Sequence, residues 1–145
     1  MQVVSLLLAV DEMTPENGGM SVLPGSHLYD LHEQQDLPGS SVLGSGSDPA
    51  LVAASAEPVP IILRPGDVSV HSPRIIHGSP ANTSNRRRCG LNIRYIPTTT
   101  KVTASVNCGP FLLRGNAVDG VNEWKAFPRW RREDHFDFKG AELLA

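Results

Sequence analysis

The stretch IILRPGDVSVHSPRIIHGSPANTSNRRRCGLNIRYI, residues 61–96, decides the fold. Ile61–Leu63 is a short apolar run, and Arg64-Pro65-Gly66-Asp67 is a tight turn. Val68–His71 follows as a strand, with Val68 and Val70 on one face and Ser69 and His71 on the other. Arg74–His77 continues extended after Pro73, and Gly78–Asn85 is a polar connection. Arg88–Ile96 alternates again: Leu91, Ile93 and Tyr95 face one way, Arg88, Gly90, Asn92 and Arg94 the other. Short strands, frequent turns and almost no helical period read as an all-β domain, a sandwich or barrel of the jelly-roll kind.

Working outward, Gln2–Val10 reads as a strand buried on both faces. It has no Lys or Arg ahead of its apolar run, and Asp11 and Glu12 follow at once, so it is not read as a leader. It is also far short of the roughly 20 residues that span a bilayer. A core strand opening at residue 2 has no lead-in, so the chain is expected to be the downstream part of a larger domain. Asp11–Gly19 is a turn cluster, with Asn17 and Gly18 as its turn residues. Met20–Leu23 is a short extended piece ended by Pro24-Gly25-Ser26, and His27–Gln35 has room for one helical turn. Residues 37–60 are rich in Gly, Ser, Ala and Pro and are expected to be a flexible loop, either a tolerated surface loop or a cover over a pocket. Thr98–Val106 is a further strand candidate, and residues 115–145 form a polar tail with Trp124 and Trp130 as packing residues.

The whole chain has 145 residues, one domain's worth, with a formal net charge of −2. That balance argues against a nucleic-acid binder, which needs surplus Lys and Arg to displace counterions. Two cysteines, Cys89 and Cys108, make no disulfide framework, so a reducing compartment, the cytoplasm, is the expectation. The expected partner is a small-molecule substrate, with no nucleic acid and no membrane.

If the strands ending at His77 and beginning at Arg88 are neighbours, His77, Ser79 and Arg88 converge on one barrel mouth. A neutral imidazole there can ligate a divalent metal. An Arg fork beside a hydroxyl is a carboxylate clamp, each hydrogen bond to the charged group contributing roughly 1.5–3 kcal/mol. Taken alone, the same residues also read as a structural strand-end His and a solvated basic turn. Likewise His71 reads as a lining histidine or a ligand, and Arg94 as an anion contact or a surface ion pair. Asn82 is suited to fixing the loop between His77 and Arg88 through backbone bonds.

VDEMTPENGGMSVLPGSH (10–27), residues 58–97 with their GDV, HGS and RRRCGLNIRY elements, and LLRGNAVDG…FPRW (112–130) occur in an order that closely resembles the phytanoyl-CoA dioxygenase family. These are iron(II)- and 2-oxoglutarate-dependent oxygenases. The resemblance implies a double-stranded β-helix, of which residues 1–145 would be the C-terminal portion. It implies that His77 is the distal iron ligand, that Arg88 pairs with the distal carboxylate of 2-oxoglutarate, and that Ser79 supplies the hydroxyl beside it. The implied reaction hydroxylates a small organic substrate and forms succinate and carbon dioxide.

One departure stands out. The family takes its other two ligands from an H-x-D motif ahead of the segment matching Gln2–Val10. The H-x-D of this chain, His135-Phe136-Asp137, lies on the wrong side of His77. The chain alone is therefore expected to be inactive, with a non-catalytic jelly-roll module that binds a small carboxylate as the alternative.

Overall fold

The computed structural model describes residues 3–30, 34–36, 45–103 and 109–127. The chain divides into two compact units, Met1–Pro97 and Thr98–Ala145.

The first unit is antiparallel β structure with short helical turns. Strand β1 (Val4–Ala9) is followed by a 3₁₀ turn at Pro15–Asn17, β2 (Ser21–Val22) and a second 3₁₀ turn at Ser26–Leu28. Then come β3 (Gln35–Asp36), β4 (Ser45–Gly46), helix α1 (Pro49–Ala53), β5 (Val59–Pro60), β6 (Val68–His71), β7 (His77–Gly78) and β8 (Gly90–Tyr95). One sheet has the order β6-β1-β8, a second β5-β2-β7, and β3 pairs with β4. This is the all-β, cupin-like jelly-roll architecture that the strand pattern predicts.

Register explains the core. Across the first sheet Leu6 lies opposite Val70 and Ile93, and Leu8 opposite Val68 and Leu91. On the other face Ser5 meets His71 and Arg94, Leu7 meets Ser69 and Asn92, and Ala9 meets Gly90. Opposed residues of an antiparallel pair share a face, so this second face carries Leu7 and Ala9 into the core with Met13, Met20 and Leu63. Met13 is fully buried and exchanges backbone bonds with Leu63, its N–H donating at 2.8 Å and its carbonyl accepting at 3.1 Å. Contrary to the expectation for Gln2–Val10, β1 is buried on one face only. Val4 is exposed, and Leu6 and Leu8 are half-buried.

Other expectations shift in detail. Ile61–Leu63 is not a strand: β5 ends at Pro60, and Leu63 forms an isolated bridge to Met13. The segment before His77 holds a turn, closed by Ile75 N–H donating to the Ser72 carbonyl, rather than running extended. Within the expected loop 37–60, Pro49–Ala53 is helical, capped by the Asp48 carboxylate accepting from Ala50 N–H at 2.9 Å. Asn17 does not take a left-handed conformation. It is buried in the 3₁₀ turn, and Gly18 carries the positive φ of 79°.

In the second unit the Asn122 side chain accepts from Val102 N–H at 2.9 Å and donates to the Thr100 carbonyl at 2.8 Å. Residues 98–103 form no strand, and residues 104–108 lie outside the described ones. Phe111 stacks on Phe127 at 5.6 Å, and Trp124 is half-buried. Trp130 and the His135-Phe136-Asp137 motif lie outside the described residues.

Candidate functional site

His77 is placed by its neighbours in the second sheet. It pairs with Val22 across β2–β7. The residue before it is clamped twice: the Ile76 carbonyl accepts from Leu23 N–H at 2.9 Å, and Ile76 N–H donates to Ser26 Oγ at 2.8 Å. Ser26 is buried and donates in turn to the Leu23 carbonyl at 2.8 Å. The Pro24-Gly25-Ser26 turn, with Gly25 at φ 80°, thus fixes the strand that presents His77.

The imidazole is also oriented. His77 Nδ1 lies 2.8 Å from the Ile75 carbonyl. A carbonyl only accepts, so Nδ1 carries the proton and donates it, an arrangement that in the neutral ring leaves the Nε2 lone pair free. A metal-binding histidine is held in the same way, one ring N–H on a backbone carbonyl and the other nitrogen free to ligate. Three or more His, Cys, Asp or Glu side chains do not gather around any point among the described residues. His77 therefore fits one position of a metal centre, and the described residues do not complete the set.

The structure brings Arg88 and Ser79 together: Arg88 Nη2 donates to Ser79 Oγ at 3.3 Å. Ser79 directly follows β7 and Arg88 lies two residues before β8, so the connection between these strands closes on itself. Asn82 braces that connection, donating to the Arg86 carbonyl at 2.7 Å and accepting from Ser84 N–H at 2.9 Å. The adjacent arginines are not free solvated cations. Arg86 pairs with Glu12, and Arg87 grips Asp11 through two bonds of 2.8 and 2.9 Å. These pairs hold the basic run against the turn after β1 and leave Arg88 with a hydroxyl as its partner.

A pocket of about 50 Å³ adjoins His77 and is lined by Ser5, His71, Pro73, His77, Asn92, Ile93 and Arg94. Arg88 and Ser79 are not among its walls. The rings of His71 and His77 stand 5.8 Å apart. Desolvation, then the neighbouring His77 and Arg94, hold the His71 imidazole below the usual histidine range. Reading along the sequence, Ser5 escapes notice as a site residue. Strand period places it on the face of Leu7 and Ala9, but only the register reveals His71 and Arg94 on either side of it.

The sequence profile of the phytanoyl-CoA dioxygenase (PhyH) family matches residues 1–90, more than half of the chain. The chain belongs to the phytanoyl-CoA dioxygenase family. Among relatives of this family member, the dioxygenase trt7 of Aspergillus terreus is 30% identical over 94 residues, 65% of this chain and 27% of that protein. A probable alpha-ketoglutarate-dependent hypophosphite dioxygenase of Stutzerimonas stutzeri is 31% identical over 121 residues, 80% of this chain and 38% of that protein. Among solved structures, the epimerase SnoN in complex with Fe3+, alpha ketoglutarate and nogalamycin RO is similar with a TM-score of 0.52 and 27% identity, covering 67% of this chain and 36% of that one. The present PhyH-family chain thus spans well under half the length of the curated relatives it matches.

Proposed function

We propose that this chain carries part of the site of an iron(II)/2-oxoglutarate-dependent dioxygenase that oxidises a small organic substrate, as the C-terminal portion of a PhyH-type domain. The observation that carries this reading is the tautomer-fixed His77, two residues from a hydroxyl–guanidinium pair. Family membership and the dioxygenase relatives support it.

In this reading His77 Nε2 is one iron ligand, and its Nδ1–H on the Ile75 carbonyl keeps the ring from turning. Arg88 and Ser79 receive the distal carboxylate of 2-oxoglutarate, the planar fork taking two oxygens and the hydroxyl donating one further bond. Iron(II) and 2-oxoglutarate, when bound, would serve to activate dioxygen, the oxidant of both the substrate and 2-oxoglutarate, with succinate and carbon dioxide as products of the latter. The tasks of this chain are to orient the cosubstrate and to shape the wall that the substrate meets.

Calorimetry of the 145-residue chain with 2-oxoglutarate, under anaerobic conditions with and without iron(II), tests the assignment. Arg88→Gln is expected to weaken 2-oxoglutarate binding roughly 10- to 100-fold, the loss of one or two bonds to a charged group. His77→Ala is expected to remove the iron-dependent part of the binding and leave the rest. Arg88→Gln binding as tightly as the parent would sink the assignment. Equal binding with and without iron(II) would make the chain a metal-free carboxylate-binding module. A single histidine holds no defined iron geometry, so the chain by itself is expected to form no succinate, and stoichiometric succinate would contradict this.

A further inference from the structure

The pocket beside His77 has an unusual lining. Its polar groups are one guanidinium (Arg94), one amide (Asn92), one hydroxyl (Ser5) and two imidazoles (His71 and His77), and no carboxylate is among them. In the described residues, Arg64, Arg86 and Arg87 each meet an acidic partner, and no such ion pair forms at Arg94. The three strands converge by register, not by chance of side-chain length. Ser5 lies directly between His71 on β6 and Arg94 on β8, and Asn92 shares that face one step along. Ser5 is buried, so the pocket floor is shut off from water while its rim is open.

We infer that the Ser5–His71–Asn92–Arg94 pocket binds one compact oxyanion group of the organic substrate, separate from the Arg88–Ser79 clamp for the cosubstrate. The size agrees with the charge. A cavity of about 50 Å³ admits a carboxylate or a small phosphorus oxyanion but not a whole drug-sized ligand, whose pockets run to roughly 300–1,000 Å³. The donors agree too, since a guanidinium, an amide N–H₂ and a hydroxyl all offer hydrogen to an acceptor that carries charge. Because Arg88 lies two residues before β8, the strand that carries Asn92 and Arg94, one segment of chain would set the distance between bound cosubstrate and bound substrate. The inference deepens the proposed function and rests on it for the word substrate. The anion site stands on the geometry alone.

The test is an NMR titration of the 145-residue chain at fixed pH and ionic strength, with inorganic phosphite in one arm and acetate in the other. The two arms separate a phosphorus oxyanion from a carboxylate as the preferred group. Saturable shifts centred on the Asn92 side-chain amide, the Arg94 Nε–H and the Ser5 amide are expected in at least one arm. Arg94→Gln should weaken that binding about tenfold or more, the loss of a charged bond. Arg94→Lys, which keeps the charge, should restore part of it, and Arg88→Gln should leave it unchanged. The wild-type shift map needs no variant to fold, and shifts centred on Arg88 and Ser79 instead would overturn the inference. So would the absence of saturation in both arms, or equal binding by Arg94→Gln. A parallel 2-oxoglutarate titration separates the two readings. If Arg94→Gln weakens 2-oxoglutarate as much as phosphite, the pocket belongs to the cosubstrate and the inference falls. If Arg88→Gln leaves 2-oxoglutarate untouched, the proposed function falls and the anion site remains.

Discussion

Gly19 and Gly90 each sit where a methyl group would collide, but with different neighbours. A Cβ at Gly19 would stand 2.6 Å from the Thr14 carbonyl oxygen and 2.9 Å from the carbonyl carbon. Those are backbone atoms of the tight turn, closed by Gly19 N–H donating to the same carbonyl at 2.7 Å, and they cannot step aside. A Cβ at Gly90 would collide with Met13 Cε, the far end of a flexible thioether side chain, and would stand 3.0 Å from Leu7 Cδ1. Overpacking typically costs about 1–3 kcal/mol. Gly19→Ala is expected at or above the upper end of that range and Gly90→Ala at the lower end, read as shifts of the urea midpoint. The reverse order would mean that the core around Met13 is the stiffer of the two. The need for glycine at 19 was visible in the sequence as turn punctuation. The need at 90 was not, because in a strand pattern Gly90 fills an ordinary slot, and only the close approach of Met13 and Leu7 favours glycine there.

At the scale of elements, the connection from β7 to β8 is strapped to the turn after β1 by Asp11. Its carboxylate accepts from Arg87 through two bonds and from Cys89 N–H at 2.8 Å. The Arg87 side-chain bonds first, and the Cys89 backbone bond after them, hold the Asp11 carboxyl below the usual carboxylate range. A carboxyl whose folded pKa is depressed contributes stability above its unfolded value of about 3.9, and that contribution is lost as pH falls through the folded value. Asp11→Asn is therefore expected to lower stability at neutral pH and to flatten its decline below about pH 4. Parallel urea curves at both pH values check this, and an Asp11→Asn profile with the parent's full acid slope would contradict it. Strands β6 and β8 were legible because their apolar residues alternate over four or more positions, and β1 was legible as a continuous apolar run, which did not reveal that one of its faces is left open. Strands β5 and β7 are two residues long, too short to carry a period, and backbone bonds to β2 and its flanks define them. The candidate site was legible as residue types at His77, Ser79 and Arg88. The wall of Ser5, His71, Asn92 and Arg94 depends on register between strands far apart in sequence, which a single strand's pattern does not carry.

Over the first unit as a whole, the sheet β6-β1-β8 has an inverted dress. An antiparallel sheet commonly turns its apolar face to the core and its polar face to water. Here Ser69, His71, Asn92 and Arg94 share the core-side face, while Val70 and Leu91, on the opposite face, are 65% and 52% exposed. Val4, Val68 and Tyr95 join them there, making a broad apolar surface of the kind that marks contact sites or association. The chain alone is expected to bind the dye ANS and to self-associate as concentration rises. Val70→Ser with Leu91→Ser should cut both while leaving the thermal midpoint nearly unchanged, and undiminished dye emission would place the exposed apolar surface elsewhere. The central position of β1 has one more consequence. Leu6 must wait for Val70 on one side and Ile93 on the other before its ladder is whole. Closing such long loops is entropically slow. During synthesis β1 leaves the ribosome ahead of both these neighbours, so its β6 side can pair first and its β8 side stays without that partner until Gly90–Tyr95 emerges.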